Sequence, residues 1–157
     1  MTYSVVAYAT GQTANINLTL ISLKVPVIIK WDIPFVGTGT FQMSAKSVQS
    51  ATKTLAEEPQ PDEVTYMKDD QTLLILSKDT YNTAITTKTF RLNGYTFNIE
   101  TDTATFKINK KDADVFYAVS TKGNREIWVL NDPAFPLICR SKRVTKYIDF
   151  EIASLTE

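Results

Sequence analysis

Alternation between apolar and polar positions dominates this chain. Ile16, Leu18 and Leu20 fall on one side of an extended segment and Asn15, Asn17 and Thr19 on the other, so Ile16–Leu23 is predicted as a strand with one wet face. Tyr3–Tyr8 precedes it across the turn cluster Thr10-Gly11-Gln12-Thr13. Val25–Ile33 follows; Pro26 has no backbone N–H, so this strand begins late or lies at an edge. Pro34 and the turn Gly37-Thr38-Gly39 end it, and Thr40–Ser44 resumes extended. In the last predicted strand, Tyr147–Leu155, the residues Ile148, Phe150 and Ile152 share one side and Asp149, Glu151 and Ala153 the other.

The period lengthens in two places. Ala45, Val48, Ala51 or Thr52, and Leu55 recur at three- and four-residue spacing, which predicts a helix over Ser44–Glu58. Pro59-Gln60-Pro61-Asp62 closes it, because Pro59 disfavours helical geometry at Glu58. A shorter helix runs from Ser77, its N-cap, to about Ile85, with Asp79 near the positive end. Between the two, Val64–Met67 and Thr72–Leu76 flank Lys68-Asp69-Asp70-Gln71 as a hairpin. From Lys88 onward short strands return with turn signals roughly every 8–12 residues. Asn93-Gly94 joins Thr89–Leu92 to Tyr95–Glu100, the strongest two-residue hairpin signal. Thr103–Ile108, Val115–Ser120, Glu126–Leu130 and Phe135–Arg140 follow, with turns at Asn109–Asp114 and Thr121–Asn124.

These elements predict a mainly β fold: an antiparallel barrel or sandwich, meander-rich in its C-terminal half, with one or two short helices. The 157 residues suit one β-rich domain spanning 1–157. Composition agrees, since Thr, Ile, Val, Tyr and Phe are abundant and fit a pleated surface better than a helix. Hydrophobic residues at 43% and charged residues at 22% are those of a globular, soluble chain.

Charge and cysteine content narrow the partners. Lys+Arg and Asp+Glu balance at 17 each, so the basic footprint of a nucleic-acid binder is missing. Cys139 is the only cysteine, which excludes an internal disulfide and leaves the redox compartment open. The first residues lack the basic and apolar regions of a signal peptide; an exported bacterial domain whose leader has been removed fits equally well. Lys24, Pro26, Lys30 and Asp32 interrupt the most apolar stretch, Ile16 to Val36, so no transmembrane segment is expected.

The chain contains no histidine, which removes the commonest general base and metal ligand. Paired carboxylates remain: Asp112 and Asp114 would share a face in an extended segment, though Lys110 and Lys111 beside them suit a solvated turn. Asp69-Asp70 reads as a turn in the same way. Gly37-Thr38-Gly39 lacks the length and the Lys-Ser/Thr ending of a phosphate loop. No catalytic or metal-ligating set is therefore assigned, and no cofactor is implied.

Binding is the remaining chemistry. Trp31, Phe35 and Phe41 in the first half, and Trp128 and Phe135 in the second, fill a core or line a cavity. The Asn131–Ile138 stretch, with Asp132 and two prolines, holds Phe135 at a fixed angle, as a barrel corner or a recognition loop would. Arg140, Lys142 and Arg143 belong to the densest basic run, which as a connecting loop could meet an anion or stay solvated. Cys139 reads as a buried, inert hydrophobe. The expectation is a non-catalytic binding or interaction module whose partner is a protein or a small apolar ligand. Three alternatives stand beside it: a barrel for a small apolar ligand, a carboxylate-based enzyme using Asp112, Asp114 or Asp32, and a structural subunit of an assembly. No segment carries a motif that names a family.

Overall fold

In a computed structural model, which describes residues 1–55, 58–101 and 105–156, two meanders join into one large sheet. The first is β1 (Thr2–Ala7), β2 (Thr13–Ser22), β3 (Val27–Ile33) and β4 (Gly37–Met43), each antiparallel to the next. A connecting region follows, with α1 (Ala45–Ser50), β5 (Lys53–Thr54), β6 (Val64–Tyr66), β7 (Gln71–Thr72) and α2 (Lys78–Thr87). The second meander comprises β8 (Thr89–Leu92), β9 (Tyr95–Ile99), β12 (Val115–Ser120), β13 (Glu126–Leu130), β14 (Ile138–Lys142) and β15 (Ile148–Ser154). Between β9 and β12 lies a small separate hairpin of β10 (Phe106–Ile108) and β11 (Lys111–Ala113).

The join is β15 against β1, with Val5 opposite Phe150 and Ala7 opposite Ile148. The resulting 11-stranded sheet runs β6-β4-β3-β2-β1-β15-β14-β13-β12-β9-β8. Among the described residues β6 and β8 do not meet, so the sheet is antiparallel-dominated and open rather than a closed barrel. Both edges are short, three and four residues, which limits their use as templates for another chain.

Where alternation was strict, prediction and structure coincide. In β2 the residues Asn15, Asn17 and Thr19 are exposed while Leu18 is buried. In β15 Phe150 and Ile152 are buried and Glu151 and Ala153 exposed. Asn93 (φ 50°) and Gly94 (φ 82°) form the expected tight turn between β8 and β9. Asn93 also ties that turn to its surroundings, accepting from Thr54 N at 2.9 Å and donating to Val144 O at 3.2 Å. Pro26 delays β3, which nonetheless lies inside the sheet between β2 and β4.

Four expectations change. The predicted helix over Ser44–Glu58 keeps its N-cap, Ser44, but ends at Ser50. Ala51 turns extended because its carbonyl is claimed by the hydroxyls of Ser77 (2.7 Å) and Thr80 (3.2 Å). Thr52 and Lys53 then donate to Asp70 O, and tertiary bonds replace helical ones. The Leu55–Glu58 end of that helix includes residues 56 and 57, which lie outside the described residues. The second difference is that Val64–Met67 and Thr72–Leu76 are no hairpin. β6 adds to β4 and β7 to β5, both parallel, while Leu73–Leu76 is buried without regular pairing. Asp69 and Asp70 are anchors there: hydrogen bonds from Ser44 and Lys46, and from Lys53, hold their carboxyls below the usual range.

The turn after β3 is the third difference. It is Pro34–Val36, and Gly37-Thr38-Gly39 is already strand. The fourth lies in Asn109–Asp114, where Asn109 (φ 53°) and Lys110 (φ 65°) make a tight turn of their own and Lys111–Ala113 pairs back on Phe106–Ile108. Residues 102–104 of the predicted Thr103–Ile108 strand lie outside the described residues. No helix of the described residues is long and apolar enough to cross a membrane.

Candidate functional site

Directly opposed residues of neighbouring strands point to the same face, so the register assembles the inner face of the first meander. Gly39 opposes Trp31, Trp31 opposes Leu18, Ile16 opposes Tyr3, and Val5 opposes Phe150. Gly39 apart, these residues form the floor of an apolar cavity of about 230 Å³. Leu73 and Leu74, from the buried segment before α2, wall it on the other side. Leu73 is held over the floor by its N–H, which donates to Met43 Sδ at 3.2 Å. Glu58, Pro59 and the half-exposed Tyr147 form the rim.

The cavity holds few polar atoms, and most are engaged. The Tyr3 hydroxyl donates to Ile138 O at 3.0 Å. Burial, with Cys139 nearby, raises its pKa well above the ordinary tyrosine value, so it stays protonated. Thr145 Oγ1 donates to Ile148 O at 2.5 Å. Trp31 is 1% exposed, and its indole N–H finds no acceptor among the described residues. Glu58 is the one charged residue in the described lining.

Trp31 and Phe41 are the predicted site residues that meet in this cavity. Phe35 lies in the adjoining turn, two residues beyond the cavity-lining Ile33, fully exposed and in the left-handed region (φ 66°). The others lie elsewhere. Arg140 opposes Trp128 and Glu151, and therefore sits on the face of the sheet opposite to Phe150. There Trp128 is 8% exposed, covered by Tyr117 (ring centroids 4.5 Å apart), Arg140 (4.9 Å to its ring) and Lys142 (5.6 Å). Arg140 pairs with Glu151 at 3.1 Å and Lys142 with Glu126 at 3.4 Å.

The basic run is thus a connecting loop only in its second half, from Arg143 onward. Arg140 and Lys142 are strand residues with acidic partners, and Arg143 alone of the three occupies the turn, donating its N–H to Asp149. Asp132 caps its own loop by accepting from Ala134 N at 2.8 Å, and Phe135 packs partly buried on the core. Asn131 locks that loop down, accepting from the Tyr81 hydroxyl at 2.8 Å and donating to Asp114 at 3.3 Å. The three carboxylates considered for catalysis do not line the cavity: Asp32, Asp112 and Asp114 are all exposed, and Asp112 faces Lys107 at 3.8 Å. Among the described residues no group of three or more Cys, Asp or Glu is placed to hold a metal ion.

Sequence reasoning missed Tyr3, Leu18, Leu73 and Phe150 as site residues. Alternation put each strand residue on an apolar face, but which strands lie side by side is not written in that period. Leu73 and Leu74 carried no signal beyond apolarity.

Cys139 is fully buried on β14, as expected of a small hydrophobe. Burial pushes its thiol up to about 12, from an ordinary 9.0. The unfolded chain therefore releases this proton first, and stability falls as pH rises from the unfolded toward the folded value. Urea denaturation just above pH 9 should show that fall, with a shallower slope in Cys139→Ala. An identical slope in the variant would refute the assignment.

Comparison with protein-family models, with curated proteins and with solved structures returned no significant match.

Proposed function

We propose that this chain is a non-catalytic binding module whose inner cavity takes a small, largely apolar organic molecule. The observation that carries the reading is the cavity between Trp31, Leu18 and Phe150 on one side and Leu73 on the other, apolar in nearly all its lining. At about 230 Å³ it is smaller than the roughly 300–1,000 Å³ of sites for drug-sized ligands. A dry cavity of about 150 Å³ accepts benzene, so by proportion the occupant here has roughly nine non-hydrogen atoms. Burying about 200 Å² of such a molecule contributes about 5 kcal/mol. Lost rotational and translational freedom offsets part of it, leaving a Kd of roughly 1 mM or weaker.

Titration with toluene, followed in ¹⁵N–¹H correlation spectra, tests this. The amide shifts should concentrate on Leu18, Trp31, Leu73 and Phe150. Leu18→Phe, which adds volume at the floor, should abolish them. Shifts scattered over the surface, or none up to the solubility of toluene, would defeat the reading.

A protein partner is the second reading, and Phe35 favours it. A fully exposed phenylalanine in a left-handed turn is costly on both counts, since glycine or asparagine fits that backbone better. Phe35→Ala should leave the toluene shifts unchanged, which separates the two surfaces.

A further inference from the structure

We infer that the chain carries a second site, separate from the apolar cavity, which takes a phosphate-type oxyanion at Arg125 and Lys122. It lies where two tight turns meet: Asn93-Gly94, between β8 and β9, and Thr121–Asn124, between β12 and β13. The Thr121 N–H donates to Thr96 O at 2.9 Å and fastens one turn to the other. Between them is a hollow of about 280 Å³ that shares no lining residue with the cavity.

Arg125 is held in this hollow from several directions. Its guanidinium lies over the Tyr95 ring, 3.7 Å from the centroid, and its Nη1 donates to Asn124 Oδ1 at 2.6 Å. Its backbone N–H donates to Ser120 Oγ at 3.3 Å, and the Ser120 N–H donates to Arg125 O at 2.9 Å. A guanidinium fixed in this way loses less freedom when it takes an anion. Of its five donors, one has an acceptor among the described residues. Nε is buried and reaches no ligand; Arg125 as a whole is partly exposed, and its terminal nitrogens are the donors that remain.

Charge decides what enters. No Asp or Glu belongs to the described lining, and among the described residues neither Arg125 nor Lys122 forms an ion pair. Glu126, next in the chain, lies on the face of Trp128 and is bound to Lys142 at 3.4 Å. The hollow therefore presents two uncompensated positive charges. Lys122 and Thr121 are exposed and Thr96 partly so, which leaves both threonine hydroxyls open to a ligand. Two charges and two hydroxyl donors match the double charge and the several acceptor oxygens of a phosphate group; a carboxylate supplies half that charge.

Titration of the intact chain at low salt and pH 8, where a phosphate group is doubly charged, tests this in ¹⁵N–¹H spectra. The probes are inorganic phosphate, phenyl phosphate and acetate. Phosphate should shift the amides of Gly94, Thr96, Thr121 and Lys122 in a saturable way and leave those of Leu18 and Leu73 in place. Acetate, at equal ionic strength, should bind about fivefold more weakly. Arg125→Met keeps a long apolar stem on Tyr95 and should lower the phosphate affinity about tenfold. Lys122→Ala, in an exposed turn, should lower it about threefold, and decides the matter if Arg125→Met does not fold. Phenyl phosphate binding more tightly than inorganic phosphate would mark a phosphoryl group carried on a larger molecule; the reverse order would mark the free ion.

No saturable shift at these amides, shifts spread evenly over the lysines of the surface, or an affinity unchanged in both variants would overturn the site. Acetate binding as tightly as phosphate would overturn the phosphate-type assignment. Loss of this site would leave the toluene shifts of the cavity untouched.

Discussion

Phe97→Ala is expected to lower the unfolding free energy by about 4 kcal/mol. Phe97 is 0% exposed, in the second meander on β9 between β12 and β8. Its ring stacks on Phe90 (centroids 5.4 Å apart, planes 14° from parallel), and Phe90 in turn meets Phe116 edge-on at 6.2 Å. Truncation removes the transfer energy of the ring and leaves a void between β-sheet neighbours that hydrogen bonds hold in place, so the site collapses poorly. Phe35→Ala is the contrasting case: the same chemical change at a fully exposed turn should alter stability by no more than about 0.5 kcal/mol. Urea unfolding of the two variants side by side checks both. A loss below about 2 kcal/mol for Phe97→Ala would show that this aromatic cluster is not the packed core described here.

Gly39→Val is expected to destabilise the chain by about 3 kcal/mol, against the usual direction for this change. In an ordinary strand, valine in place of glycine stabilises by restricting the unfolded chain and packing on its neighbours. Gly39 does not have a left-handed backbone; the constraint is space alone. Trp31 lies directly opposite on β3, and its indole occupies the volume of the missing Cβ, at 2.7 Å from Nε1. A branched side chain must push the indole off the sheet toward the cavity it lines, breaking the packing of a ring that is now 1% exposed. Denaturation together with tryptophan emission measures both effects: lower stability and a red shift as the indole meets water. A stabilised variant with unchanged emission would contradict the packing at this position.

How far these features were legible from residue order depended on the range of the interaction. The Asn93-Gly94 hairpin was visible because two adjacent residues set its backbone by themselves. Ser77 as the cap of α2 was visible for the same reason, since its hydroxyl serves Thr80 N only three residues away. The predicted helix over Ser44–Glu58 overshot because propensity could not register that Ala51 O has hydroxyl donors 26 and 29 residues later. Gly39 looked like a turn residue because no local signal tells a glycine needed for positive φ from one needed for room. The basic run looked like one patch because Glu126 and Glu151, which neutralise two of its members, belong to other strands.

By itself the order of residues determined that the chain is mainly β, where most strands lie, and which side chains share a face within each strand. Backbone sterics and burial act there over a few residues, and a period of two suffices to read them. Tertiary structure alone decided that β15 closes against β1, that β6 and β7 join in parallel, and that Leu73 roofs the floor made by Tyr3, Leu18 and Trp31. Those pairings are selected by complementarity between surfaces far apart in the chain, and the cavity is the space such packing leaves unfilled.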